Sequence, residues 1–141
     1  MAFYINTGAV KVPLEDNLGR VIGHAVYVPT DFGILERYKA AAYFLDDIRQ
    51  EFATIKPEEV STETAFELMK TTRNLLKEFC NAVFGKDFYE EAFAQLNPFT
   101  FVGDDSFVCV QIIESVLNDI KDRKAKRAEK QDKYLAGYTN E

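Results

Sequence analysis

Between Ala65 and Gly85 the residues Ala65, Leu68, Met69, Thr72, Leu75, Leu76, Phe79, Cys80 and Val83 recur at three- and four-residue steps. That spacing places them on one broad face of an amphipathic helix. Gly85 stands where a left-handed C-cap is wanted, and a second, aromatic-rich helical run from Asp87 to Leu96 follows almost at once. Two helices joined so closely must fold against each other, and their apolar residues far outnumber any catalytic groups they carry. The segment is built to bury surface and to offer some of it to a partner.

The rest of the chain supplies elements to pack on that pair. Val10, Val12 and Leu14 alternate, Glu15-Asp16-Asn17-Leu18-Gly19 supplies turn chemistry, and Ile22, His24, Val26 and Val28 alternate again, which predicts a β-hairpin. Phe3 and Ile5 suit a short strand before Asn6-Thr7-Gly8, a tripeptide equally at home in a bulge or a turn. A lone hairpin is marginal in water, so this one must pack on the helices or pair with another chain. Asp31 is a good N-cap for a helix whose apolar positions are Ile34, Leu35, Tyr38, Ala41, Ala42, Leu45, Ile48 and Phe52. Pro57 with Glu58 and Glu59 suits a fresh helix start, Ser61 or Thr62 being a second cap. Asn97-Pro98 stops the helix containing Phe88, Tyr89 and Phe93, and Asp104-Asp105 caps a last apolar helix through Val110, Ile113, Val116, Leu117 and Ile120.

The expected fold is therefore α+β and mostly α, with an N-terminal hairpin (about 3–28) packed on a bundle of about four to five helices. The helices fall at about 31–53, 58–84, 87–96 and 105–125 within a single domain spanning 1–125. Beyond it, 126–141 forms a charged C-terminal helical extension that frays or is disordered. From Lys121 to Lys133 seven Lys or Arg stand against three acids with no apolar stripe, the pattern of a solvated face.

At 141 residues the chain can bury one sizeable core without staples, and twelve Phe with seven Tyr supply much of it. A net charge of -6 argues against nucleic acid as the main partner, and Asp122, Glu129 and Asp132 interrupt the one basic run. No apolar run spans a bilayer and Met1-Ala2-Phe3-Tyr4 carries no basic leader, so a cytoplasmic protein is expected. Cys80 and Cys109 lie far apart without metal-ligand spacing and read as buried free thiols. His24 is the only histidine, which removes the His-paired nucleophiles and the two-histidine metal sites that one chain can build. Phe84-Gly85-Lys86-Asp87 lacks the first glycine and the hydroxyl residue of a phosphate loop. No enzyme, cofactor or metal site is expected.

The order of features resembles that of a known family. A hairpin, then Pro29-Thr30-Asp31-Phe32 opening a helix with Arg37-Tyr38, then a Phe84-Gly85-Lys86 helix junction and a charged tail resembles the tail assembly chaperones of long-tailed bacteriophages of low-GC Gram-positive bacteria. The likeness is greatest from Leu68 to Ile120, above all in Leu76 through Phe93 with its central Phe-Gly. The resemblance implies a non-enzymatic role: binding the long, helical tape measure protein and keeping it soluble in the host cytoplasm until tube subunits polymerise around it. It also implies a longer form, made by ribosomal frameshifting, that recruits the tail tube protein. A chaperone for a helical client needs an apolar groove ringed by charge, and Phe88, Tyr89, Phe93, Phe99 and Phe101 are the residues expected to line or border it. Filling the chain's own core is the competing role for each. An exposed hairpin edge would pair subunits into a homo-oligomer. The alternative functional readings are a structural tail-completion or connector protein, and a small regulator using its basic tail on nucleic acid.

Overall fold

The computed structural model describes residues 1–44, 46, 47, 50, 61–103 and 106–139. It is an α+β, mostly helical fold: among the described residues, two antiparallel strand pairs and four helices follow one another along the chain. Strands β1 (Val10–Glu15) and β2 (Val21–Tyr27) form the N-terminal hairpin, Val10 opposite Tyr27 and Leu14 opposite Gly23. Its turn is organised by Asp16. One carboxylate oxygen accepts the N–H groups of Leu18 and Arg20, each at 2.9 Å, and the other pairs with the Arg20 guanidinium at 2.9 Å. The Arg20 N–H, with help from Leu18 and the guanidinium, holds this carboxyl below its ordinary pKa. Residues 1–9 form no strand, so Phe3 and Ile5 stand outside the sheet.

The hairpin packs through the face that the apolar alternation does not mark. Gly23, Ala25 and Tyr27 are buried, whereas Ile22, His24 and Val26 are only half-buried. Small residues are required because helix α3 (Phe88–Ala92) lies directly on β2. A Cβ at Gly23 would stand 2.4 Å from the carbonyl oxygen of Ala92.

Helix α1 (Gly33–Ala41) starts two residues after Asp31, whose carboxylate accepts the Gly33 N–H at 3.1 Å. The N-cap position falls at Phe32, which makes no side-chain cap bond, so Asp31, the expected cap, stands one position too early. A turn at Ala42 ends α1 well before residue 53, with helical backbone resuming at Tyr43 and Phe44. Leu45, Ile48, Phe52, Pro57, Glu58 and Glu59 lie outside the described residues. Arg37 ties α1 to its neighbour. Its guanidinium pairs with Asp31 at 2.8 Å and donates from Nε to the Val83 carbonyl at 3.0 Å, satisfying an acceptor that a helix end leaves orphaned.

Helix α2 (Thr62–Phe84) is the amphipathic helix, with Ser61 as its cap through a 3.2 Å bond from Thr64 N–H. Thr72, Leu76, Phe79, Cys80, Val83 and Phe84 are buried along it. Thr72 is tolerated there because its hydroxyl donates to the Leu68 carbonyl at 2.7 Å. Gly85 ends the helix at φ +128° and Asp87 follows at φ +68°, so the chain reverses within three residues. The Asn81 side chain accepts the Tyr89 N–H at 2.9 Å and fixes the start of α3.

Helix α3 is one turn, not the ten residues expected. Phe93 leaves helical geometry (φ −110°, ψ 30°), after which its ring reaches the core and tilts against Tyr89 at 5.2 Å. The following loop carries an unexpected strand pair, β3 (Phe101–Val102) with β4 (Ser106–Phe107). Helix α4 (Val108–Thr139) begins directly after it. Its first N–H groups bond to the Thr100 carbonyl at 2.8 Å and the Pro98 carbonyl at 3.1 Å, so the preceding loop caps it. The expected cap, Asp104-Asp105, lies outside the described residues.

The first third of α4 buries Cys109, Ile112, Ile113, Val116, Leu117 and Ile120, closing a core with α2, α3 and Ile34 of α1. Helix continues from there to Thr139, so the expected charged extension beyond 125 is helical in the described residues. Propagation from a packed helix carries no nucleation cost, and the Asp119–Arg123 and Asp122–Lys126 pairs at one-turn spacing support it.

Candidate partner-binding surface

The five aromatic residues expected at a client surface divide sharply. Phe88 is fully buried and stacks on Phe84 at 4.4 Å. Phe93 and Phe99 are buried as well, Phe99 meeting Phe107 edge-on at 5.4 Å. These three are core residues and not a surface. A one-turn helix and the loop after it must fill the space between α2, α4 and the hairpin, and large rings do so. Tyr89 is half-buried, and desolvation raises its phenol pKa above the ordinary value. Phe101 alone stands open, 62% exposed beside Val102.

Other apolar side chains face solvent where sequence reasoning did not place a surface. Phe3, Tyr4 and Ile5 are 72% exposed or more, and Leu18, Tyr43 and Phe66 are also open. Leu18, Tyr43 and Phe66 lie outside the helical stripe or the strand alternation, whereas Phe3 and Ile5 were expected in a strand that does not form.

Groups with chemical potential are quiet. Cys80 and Cys109 are free and buried, and desolvation pushes the Cys109 thiol up to about 12 and the Cys80 thiol higher still. Both stay protonated at neutral pH and act as packing residues. His24 is half-buried opposite Pro13 on the hairpin. Among the described residues no cluster of His, Cys, Asp or Glu is placed to hold a metal ion, and no helix is long and apolar enough to cross a membrane.

The charged part of α4 makes a built surface. Tyr27 donates its hydroxyl to Asp119 at 2.6 Å, and Arg123 donates to the same carboxylate at 3.1 and 3.2 Å. Burial, then the bond to Asp119, raises the Tyr27 pKa far above the ordinary phenol, so it stays a donor. This anchor sets α4 beside the turn between β2 and α1. A cleft of about 790 Å³ opens there, with Thr30 and Phe32 on one wall and Arg123, Lys126, Arg127, Lys130, Gln131 and Leu135 on the other. The four cations follow the i, i+3, i+4, i+7 rule of a single helix face, whereas Asp122, Glu129 and Asp132 fall to the side and back. Counting charge along the chain hides this stripe; reading the run with helical period reveals it.

A comparison of the chain with protein families, with curated proteins and with solved structures finds no match.

Proposed function

We propose that the protein is a tail assembly chaperone of a long-tailed bacteriophage or prophage, which binds the tape measure protein without catalysis and keeps it soluble in the bacterial cytoplasm. The observation that carries this reading is the apolar surface that the described residues leave outside the core. Among the described residues nineteen hydrophobic side chains are buried in the core, yet Phe3, Tyr4, Ile5, Phe66 and Phe101 remain open. Three of these, Phe3, Tyr4 and Ile5, are consecutive, and exposed apolar residues that adjoin are what a surface for another chain offers.

The phrase Pro29-Thr30-Asp31-Phe32 and the Phe84-Gly85 junction are distant in sequence, and Arg37 joins them by bonding Asp31 and the Val83 carbonyl. The two phrases that carry the resemblance thus meet in one structural unit. The tail tube protein, recruited by a longer frameshifted form, and a second copy of this chain are further partners of the proposal. Among the described residues the N-terminal sheet holds two strands, and the edges of such a hairpin suit self-pairing.

Co-expression with the tape measure protein tests the reading. A soluble, co-purifying client is expected. An insoluble, unbound client would overturn it in favour of a structural tail component, which would be retained in finished virions where a chaperone is absent.

A further inference from the structure

We propose that the cleft between the β2–α1 turn and α4 seats an acidic, amphipathic helix of the client, an inference that rests on the chaperone reading above. Arg123, Lys126, Arg127 and Lys130 span two turns of α4, roughly 10 Å along its axis, and offer cations at the spacing by which a facing helix presents carboxylates. Arg123 and Lys126 already share Asp119 and Asp122, but Arg127 and Lys130 form no ion pair among the described residues. Phe32 on the opposite wall and Leu135 at the far end give an apolar edge beside the charge, which matches a helix with one acidic and one oily face.

Charge also separates this occupant from nucleic acid. The whole chain carries -6, and with seven of its seventeen cations in Lys121–Lys133 the remainder is more acidic still. A long polyanion extending beyond the cleft meets a remainder of the chain whose net charge is of its own sign. A helix whose acids are confined to one face does not.

Fluorescence anisotropy with a labelled synthetic Leu/Glu amphipathic helix tests the site, against the same peptide with Gln for Glu and a single-stranded oligothymidylate of equal charge. The Glu helix is expected to bind, more weakly as salt rises, and to lose about tenfold in affinity when Glu becomes Gln or when Arg127→Glu and Lys130→Glu are combined. Both substituted residues are exposed, so circular dichroism should show an unchanged fold. Equal binding of the Glu and Gln peptides, or tighter binding of the oligothymidylate, overturns the proposal. Co-expression keeps the two readings apart. A client solubilised equally well by the wild type and the double variant removes the cleft and leaves the chaperone; a client that stays insoluble while the Glu helix binds through Arg127 and Lys130 removes the chaperone and leaves the cleft.

Discussion

Gly23 and Gly19 lie four residues apart and answer to different constraints. A Cβ at Gly23 would meet the Ala92 and Glu91 carbonyl oxygens at 2.4 and 2.8 Å, both backbone atoms of α3 that cannot step aside alone. Gly23→Ala should therefore lift α3 from the hairpin and cost about 1–3 kcal/mol, read as a lower urea midpoint. Gly19 has open space and φ +78°, so Gly19→Ala should cost only about 1 kcal/mol, the strain of a left-handed turn. The same contrast separates the aromatics. Phe88→Ala should cost about 3–5 kcal/mol because a buried ring leaves a cavity. Phe101→Ser should leave the unfolding midpoint nearly unchanged while weakening capture of the tape measure protein; unaltered capture would remove Phe101 from the surface. Sequence could list the five aromatic candidates but could not sort them. The volume that Phe88, Phe93 and Phe99 fill is set by helices far away in the chain.

Periodicity served the elements well where one face is continuously buried, as along α2 and the first turns of α4. It served their ends poorly. Asp87 in left-handed geometry and Phe93 outside helical geometry delimit α3, and neither residue type announces that role. The start of α4 depends on carbonyls of Pro98 and Thr100, a tertiary arrangement with no local signature. The hairpin's inner face was obscured for a related reason, since Gly23 and Ala25 are selected for closeness and carry no hydrophobic signal. The bond from Tyr27 to Asp119 joins two such elements across 92 positions. Tyr27→Phe should keep the ring packed but forfeit a hydrogen bond to a carboxylate, costing about 1.5–3 kcal/mol. Amide exchange in α4 around Asp119 should quicken more than in α2; uniform quickening would mean that the bond serves global stability and does not anchor α4.

At the scale of the molecule, the fold class was legible from the sequence and the cleft was not, because its walls come from residues near 30 and near 127. What the whole structure adds is a common electrostatic response. Cys80, Cys109 and Tyr27 each have their pKa raised, first of all by burial. On the alkaline side the unfolded chain gives up these protons first, so it binds fewer protons than the folded one and stability falls as pH rises. The thiol contribution is complete below the ordinary value of 9.0 and is lost as pH climbs toward about 12, where Cys109 ionises in the folded protein. Glu90 works in the opposite sense. Partial desolvation would raise its carboxyl, but hydrogen bonds from its own N–H, Lys77 and Asn81 outweigh that and hold it below the ordinary 4.5, so its contribution is lost on acidification. Urea midpoints should thus be flat through neutrality and decline steadily above pH 9.0. Cys109→Ala should be less stable at neutral pH, because a buried side chain is trimmed, yet decline less steeply with alkali, because one raised group is gone. An unchanged slope in that variant would show that the thiol ionises as easily folded as unfolded, and that the core around Cys109 admits water.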